Sequence, residues 1–135
     1  MKTPAIIGTL AATAAFATTG CAMDFQTDTF KTKGGKEVVV TAIKHASLRI
    51  QYDGLRIYIA GDTEDIPEMS ALKDIDVAFL PCNQPYTMTP EQVAKAARTI
   101  KPKVLFPYHY SQTPIKQVAD LLTGSGIDVR IRNYQ

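Results

Sequence analysis

The sequence predicts a single α/β domain in which antiparallel hairpins are followed by a strand–helix–strand–helix–strand (βαβαβ) unit. Alternating, β-branched segments occupy the region before residue 60, and Asp53-Gly54 separates two of them. Two segments that open with Thr-Pro then separate short apolar strands, as helices do in parallel sheets. A length of 135 residues fits one domain. The formal charge of +2 lacks the basic excess of nucleic-acid-binding proteins, so no nucleic-acid partner is expected.

The first twenty residues differ in composition from the rest of the chain. Lys2 is their only charged side chain, and Ile6–Ala17 is apolar or small. This pattern is typical of a secretory signal peptide, because a membrane-spanning helix needs about 20 apolar residues. The segment Thr18-Thr19-Gly20-Cys21 resembles a bacterial lipobox and predicts lipidation of Cys21. Simple secretion, a residual membrane anchor and a cytosolic chain are the alternatives.

We therefore expect two regions, a signal peptide over residues 1–20 and the α/β domain over residues 21–135. The expected location is the cell envelope, as a lipoprotein, or the periplasm. Contact with a membrane is expected only through the lipid anchor.

Four strands are predicted before residue 60, and two hairpin turns join them. The strands are Asp24–Thr32, Glu37–Ile43, Ser47–Tyr52 and Leu55–Ile59. Lys33–Lys36 contains two glycines and is the first predicted turn. Asp53-Gly54 predicts a type I′ turn, which requires positive φ at both residues.

Helices and short apolar strands alternate in the second half. The predicted strands are Asp76–Leu80, ending at Pro81, then Val104–Phe106, stopped at Pro107, and finally Asp128–Arg132. Thr89, Pro90 and Gln92 predict a helix start with a capping box, and that helix continues to Ile100. A second helix is predicted from Thr113-Pro114 to Leu122, closed by Gly124.

Parallel pairing of these strands places three polar loops at one edge of the sheet. The loops are Gly61-Asp62-Thr63, Pro81-Cys82-Asn83 and Pro107-Tyr108-His109-Tyr110. A carboxylate beside an imidazole can bind a metal or act as a general base. Asp62 and His109 are therefore the candidate site residues.

Each polar residue near this edge also has a structural interpretation when it is considered alone. Asp62 fits an Asx turn or a helix cap, and His109 fits a structural or surface histidine. His45 would begin a strand, and Cys82 would be a small buried apolar residue. The three acidic residues Glu64, Asp65 and Glu68 would form a solvated face or the start of a helix.

Four segments in this order resemble the C-terminal half of the metallo-β-lactamase superfamily, and are most similar to its UlaG-like MBL-fold metallo-hydrolases. They are Tyr58–Thr63, Ile75–Pro81, Tyr86–Glu91 and Val104–Tyr110. His45–Gly54 is similar to that group's N-terminal hairpin, so the resemblance covers residues 36–135. It implies a partial αββα sandwich and metal-dependent hydrolysis of a small molecule whose class is not specified. It also implies zinc or another divalent metal as cofactor, with Asp62 and His109 at metal-ligand positions.

The family's His-x-His-x-Asp-His motif does not occur in this sequence, whose two histidines are His45 and His109. A catalytic zinc takes about three protein ligands, so the resemblance implies an internally truncated and impaired or inactive hydrolase. We hypothesise an internal deletion near Asp53–Ile59, where two similar hairpins have merged. An exposed sheet face and self-association are expected in consequence. The alternative is a non-catalytic envelope lipoprotein or interaction module; a receiver-like phospho-acceptor conflicts with an export signal.

Overall fold

The computed structural model describes residues 25–134, which form one seven-stranded sheet with its helices on one side. The strands are β1 (Thr27–Lys31), β2 (Glu37–Ala42), β3 (Leu48–Tyr52), β4 (Leu55–Ile59), β5 (Val77–Pro81), β6 (Val104–Tyr108) and β7 (Asp128–Val129). The helices are α1 (Pro90–Ile100), α2 (Lys116–Leu121) and a 3₁₀ helix, Pro67–Ala71. No helix among residues 25–134 is long and apolar enough to cross a bilayer. The predicted signal peptide and Cys21 lie outside the described residues.

The sheet follows the chain in sequence order, from β1 at one edge to β7 at the other. Neighbouring strands are antiparallel from β1 to β4 and parallel from β4 to β7. The predicted α/β class, with hairpins before a βαβαβ unit, is therefore confirmed. Asp53 and Gly54 have φ angles of 48° and 79°, as the predicted type I′ turn between β3 and β4 requires.

Helix α1 has the predicted bounds because its start and stop are encoded locally. Thr89 Oγ1 accepts a hydrogen bond from the Gln92 backbone N–H at 3.2 Å, and Gln92 Oε1 accepts one from the Thr89 N–H at 2.8 Å. This capping box satisfies donors that a helix start otherwise leaves free. The helix ends at Ile100, and the C-cap residue Lys101 has a left-handed φ of 53°.

The predicted end of β6 at Pro107 is wrong, because the strand continues to Tyr108. In a parallel strand, the backbone groups of successive residues form hydrogen bonds alternately with the strand on one side and the strand on the other. Tyr108 O accepts from Cys82 N on the β5 side, and Leu105 O accepts from Arg130 N on the β7 side. The nitrogen of Pro107 therefore points towards β7, which has already ended at Val129. The missing N–H of proline costs no ladder hydrogen bond there.

Two further element predictions are corrected in their extent. The last strand covers Asp128–Val129 rather than Asp128–Arg132, and the final backbone bond between this segment and β6 runs from Arg130 N to Leu105 O. The second helix covers only Lys116–Leu121, and its first residues make turn-like bonds, such as Gln117 N to Pro114 O.

The hydrophobic core lies between the parallel strands and the helices. Right-handed crossovers between strands in sequence order place every connecting helix on the same face. Tyr58, Ala78 and Leu105 point to that side and are fully buried, together with Val93 and Ala97 of α1.

The opposite face of the sheet, which we call the open face, has no helix against it in the described residues. Strand register places three rows of mostly apolar side chains across it. The first row is Phe30, Val38, Tyr52 and Leu55; the second is Val40, Ile50, Ile57, Val77 and Val104; the third is Leu48, Ile59, Phe79 and Phe106. On β3 the apolar positions therefore face away from the helices, as do Val38 and Val40 of β2.

The C-terminal tail crosses one end of the open face. Tyr110 is buried and donates a hydrogen bond from its hydroxyl to the Arg132 carbonyl at 2.8 Å. The ring of Tyr134 then lies edge-on against both Phe79 and Phe106, with centroids 6.2 Å apart in each pair. The tail thus shields the aromatic pair and leaves β1–β4 uncovered.

Candidate functional site

The predicted polar edge forms at the carboxyl ends of β4, β5 and β6. We call this edge the rim; it contains Asp62, Asn83 and His109. The parallel register of β5 with β4 and β6 brings their ends together, with Ile59 beside Phe79 and Pro81 beside Tyr108. The rim predicted from topology is therefore present.

Asp62 and His109 meet at the rim. His109 Nδ1 lies 3.2 Å from Asp62 Oδ1, and the side chains are 48% and 74% exposed. The backbone of His109 is left-handed, with φ of 49°, and this turns the imidazole back across the strand ends. The tautomer with a proton on Nδ1 donates a hydrogen bond to the carboxylate, whereas deprotonated Nδ1 and the carboxylate are two potential metal donors.

Asn83 is the third polar side chain of the rim. Its Nδ2 lies 3.5 Å from His109 Nε2. The Asn83 backbone is held on both sides by Thr87, whose Oγ1 accepts from Asn83 N at 2.7 Å and whose N–H donates to Asn83 O at 2.7 Å. This rigid loop places the amide against the imidazole edge that faces away from Asp62.

Tyr108 is a rim residue whose hydroxyl has a role that the sequence did not reveal. It reaches from β6 across the end of β5 and donates to the carbonyl of Ala60, directly after β4. Burial, and secondly the Asp62 carboxylate, raise the pKa of Tyr108, so the hydroxyl keeps its proton. This bond joins the strand that leads to His109 to the strand that leads to Asp62.

Gly61 allows a close backbone approach beside Asp62. A Cβ at this position would lie 2.6 Å from the Ala46 carbonyl oxygen. His45 belongs to the same turn and has a φ of 59°, so the prediction that it begins a strand is wrong, because β3 starts at Leu48. His45 is exposed, and the structure shows no contact that joins it to the Asp62–His109 pair.

Cys82 is buried, as expected for a small apolar residue. Burial, and secondly Glu91, raise the pKa of its thiol to about 11. Metal binding and nucleophilic attack both need the thiolate, so Cys82 is a structural residue in this arrangement.

The sequence predicts a solvated face or the start of a helix for the acidic residues after Asp62. Glu64 is exposed, whereas Glu68 lies in the first turn of the 3₁₀ helix. Glu68 is buried in the 3₁₀ helix and pairs with Lys44 at 3.0 Å. Its own backbone N–H, and secondly Lys44, lower the pKa of the Glu68 carboxyl. Asp65 is half-buried and pairs with Lys95 of α1 at 2.5 Å. Both residues hold the β4–β5 connection against its neighbours and away from the rim.

A cleft of about 590 Å³ adjoins the rim, between the loops that follow β5 and β6. Its lining carries amides, hydroxyls, one carboxylate and the 76% exposed ring of Tyr86. A second cavity of about 600 Å³ lies at the opposite edge, around Arg56, Asp76 and Lys103. Sheets with parallel strands bind ligands at the carboxyl ends of those strands, so the rim cleft is the relevant one for chemistry.

The residues of the rim provide an incomplete donor set for a catalytic metal. Within residues 25–134, no group of three or more His, Cys, Asp or Glu side chains is arranged to hold a metal ion. Asp62 and His109 supply two donors, whereas catalytic zinc takes about three protein ligands and a water. The residues present therefore do not fit a complete catalytic centre.

Comparison with known protein families gives a match over most of the chain. The sequence model of the "Beta-lactamase superfamily domain" family matches residues 8–110. A UPF0173 metal-dependent hydrolase of Anoxybacillus flavithermus is 34% identical over 103 residues, which are 70% of this chain and 46% of that protein. The chain thus spans about half the length of such relatives.

Solved structures show the same fold. A protein of Parabacteroides distasonis ATCC 8503, described as a candidate metal-dependent hydrolase, is 34% identical in sequence with a TM-score of 0.60. The match covers 83% of this chain and 100% of that one. Igni18, a metallo hydrolase of Ignicoccus hospitalis, is 25% identical with a TM-score of 0.63, over 79% of this chain and 55% of that one.

Proposed function

The chain belongs to the beta-lactamase superfamily domain family, and from this membership we propose that its rim is part of a metal-dependent hydrolase centre. Asp62 and His109 are the ligands that this chain contributes. The observation that carries the proposal is their 3.2 Å approach at the carboxyl ends of adjacent parallel strands. The metal is zinc or another divalent ion, since two ligands do not discriminate among such ions.

The chain is an impaired or inactive hydrolase as it stands. A metal in a complete centre supplies acidified water and polarises the substrate. Two donors that are 48% and 74% exposed cannot hold an ion in competition with water as a full ligand set does. The ligands that are lacking belong to a segment near Asp53–Ile59 that this sequence does not contain. A small-molecule substrate would lie in the cleft beside His109.

Metal analysis and hydrolase assays on the purified chain test this proposal. We expect less than one zinc per chain after gel filtration, and no hydrolysis of lactam, lactone, phosphoester or thioester substrates above a protein-free blank. Residual zinc should decrease in Asp62→Asn and His109→Ala but stay unchanged in His45→Ala, which removes an exposed histidine outside the pair. Stoichiometric zinc with turnover that both rim variants abolish would show that the site is complete. Zinc that none of the variants changes would show that the rim is not the metal site.

A non-catalytic envelope lipoprotein is the second candidate, and the lipobox-like segment before Cys21 supports it. When the chain is expressed in bacteria with its leader, labelled fatty acid should be incorporated into the wild type and not into Cys21→Ser. Cys82→Ser is the matched control because Cys82 is buried and should not be acylated. A soluble, unlabelled wild type would exclude this location and role.

A further inference from the structure

The open face carries apolar side chains where a solvated sheet face would carry polar ones. Val38 and Val40 of β2 point to it, whereas Val39 between them points to the other side. Arg49 and Gln51 of β3 are on the helix side, whereas Leu48 and Ile50 are on the open face. In an antiparallel sheet with one solvated face, the side chains along each strand alternate between apolar ones that point to the core and polar ones that point to solvent. The alternation on β3, with Val38 and Val40 of β2 on the same side, therefore marks the open face as the apolar side of these strands.

We propose that the open face binds the open face of a second copy of this chain, giving a symmetric dimer with two sheets packed face to face. Sheets of the same twist pack at an angle of about −30° with their inner side chains interdigitated. A second copy supplies a sheet with the same number of strands and the same twist. The proposal does not depend on any metal chemistry at the rim.

The size of the open face suits a weak dimer. Strands spaced about 4.8 Å apart, with residues about 3.3 Å long, give the seven-stranded sheet a flat area of roughly 500 Å². The tail covers the end of this area at Phe79 and Phe106. Two copies would therefore bury less than about 1,000 Å² in total, which is the size of a weak or transient interface.

The charges of the open face permit two copies to meet. Asp28 lies on the edge strand β1, and Asp128 at the other edge is paired with Arg130 at 2.7 Å. The second and third rows hold no charged residue between these edges. Two open faces can thus approach without bringing like charges together at the centre of the interface.

Sedimentation analysis of the full chain tests the dimer. At roughly 100 µM we expect a mass of twice 14.8 kDa. Val40→Lys should weaken association by at least about 100-fold, since symmetry places two unpaired charges in one interface. Val39→Lys is the matched control, because this half-buried valine is the next residue on the same strand and points away. It should remain dimeric.

A second pair of variants covers the case in which Val40→Lys does not fold. Tyr52 lies at the border of the open face and is 38% exposed, so Tyr52→Lys should fold and still weaken the dimer. Gln51→Lys, on the other face of β3, is its control. Circular dichroism of each variant verifies folding. A folded, monomeric wild type would overturn the proposal. So would a dimer that tolerates the open-face lysines, because association would then depend on another surface, such as the leader.

Discussion

Gly61 is the position where a single added methyl group should disturb the candidate site most directly. A Cβ there would meet the Ala46 carbonyl oxygen at 2.6 Å and its carbon at 2.9 Å. Carbon atoms in contact prefer about 3.5–4.0 Å, so the two backbones would have to separate by roughly 0.5–1 Å. Both contacts are to backbone, which cannot rotate away as a side chain can. We therefore expect Gly61→Ala to lower the free energy of unfolding by about 1–3 kcal/mol, as overpacking does.

Urea and thermal unfolding followed by circular dichroism measure this loss. In a domain of this size, the melting temperature should fall by about 4–8 °C per kcal/mol. Gly34→Ala is the control, because its Cβ would be 3.9 Å from Thr32 Oγ1, an ordinary contact, and its stability should not decrease. Gly54→Ala measures the effect of backbone conformation without crowding, because a Cβ at Gly54 would meet open space but the residue has a φ of +79°. This variant should lower the free energy of unfolding by about 1–2 kcal/mol, through the left-handed backbone alone.

The result that would refute this reasoning is a Gly61→Ala variant that unfolds at the wild-type midpoint. That outcome would mean that the turn around Ala46 moves at no cost, so the turn would not determine the position of Asp62. A loss in Gly34→Ala equal to that in Gly61→Ala would also refute it, because the effect would then be a general one of replacing glycine.

Three further outcomes are expected from the same structure. Thr89→Ala removes the capping-box acceptor and should lower the free energy of unfolding, measured in urea, by about 1 kcal/mol. Thr99→Ala, on the exposed side of the same helix, should lower it by less. Equal losses in the two variants would contradict the capping argument. Lys103, and then the Arg56 N–H, hold the pKa of Asp76 below its usual 3.8, so its stabilisation is complete above that value and is lost as the pH falls through the folded pKa. The stability gap between wild type and Asp76→Asn should therefore shrink as the pH is lowered from about 6 to about 2, and a constant gap would exclude the ion pair as its source. With a thiol pKa of about 11, Cys82 should resist alkylation at neutral pH until urea unfolds the chain; rapid native labelling, located by mass spectrometry, would show that its burial is wrong.

The elements predicted well are those whose signals are local in the chain. Thr89 and Gln92 lie three residues apart and encode the start of α1, and Asp53-Gly54 encodes its own turn. Neither depends on a distant partner. The rim was also predictable, because parallel strands must end at the same edge once the strand–helix alternation is recognised.

The features that the sequence does not predict depend on the register between strands that are far apart in the chain. The hydroxyl of Tyr108 reaches Ala60, 48 residues earlier, only because both strands flank β5. In the sequence alone Pro107 indicates a strand end, because the side on which its nitrogen lies, and the length of β7, are not encoded near it. The burial of Glu68 at the start of the 3₁₀ helix is not evident from the sequence, because its partner, Lys44, lies in another turn.

The turn at Asp53-Gly54 has a consequence for how such a chain can change in length. It joins Tyr52 to Leu55 at the end of the β3–β4 ladder, and the last pair at the opposite end is Leu48 with Ile59, next to the rim. Extra residues at this turn would lengthen a loop without shifting the register. Each doubling of loop length adds only about 0.6 kcal/mol of closure entropy. Segments can therefore be gained or lost at the turn over evolutionary time, while the strand ends that hold Asp62 and His109 keep their spacing.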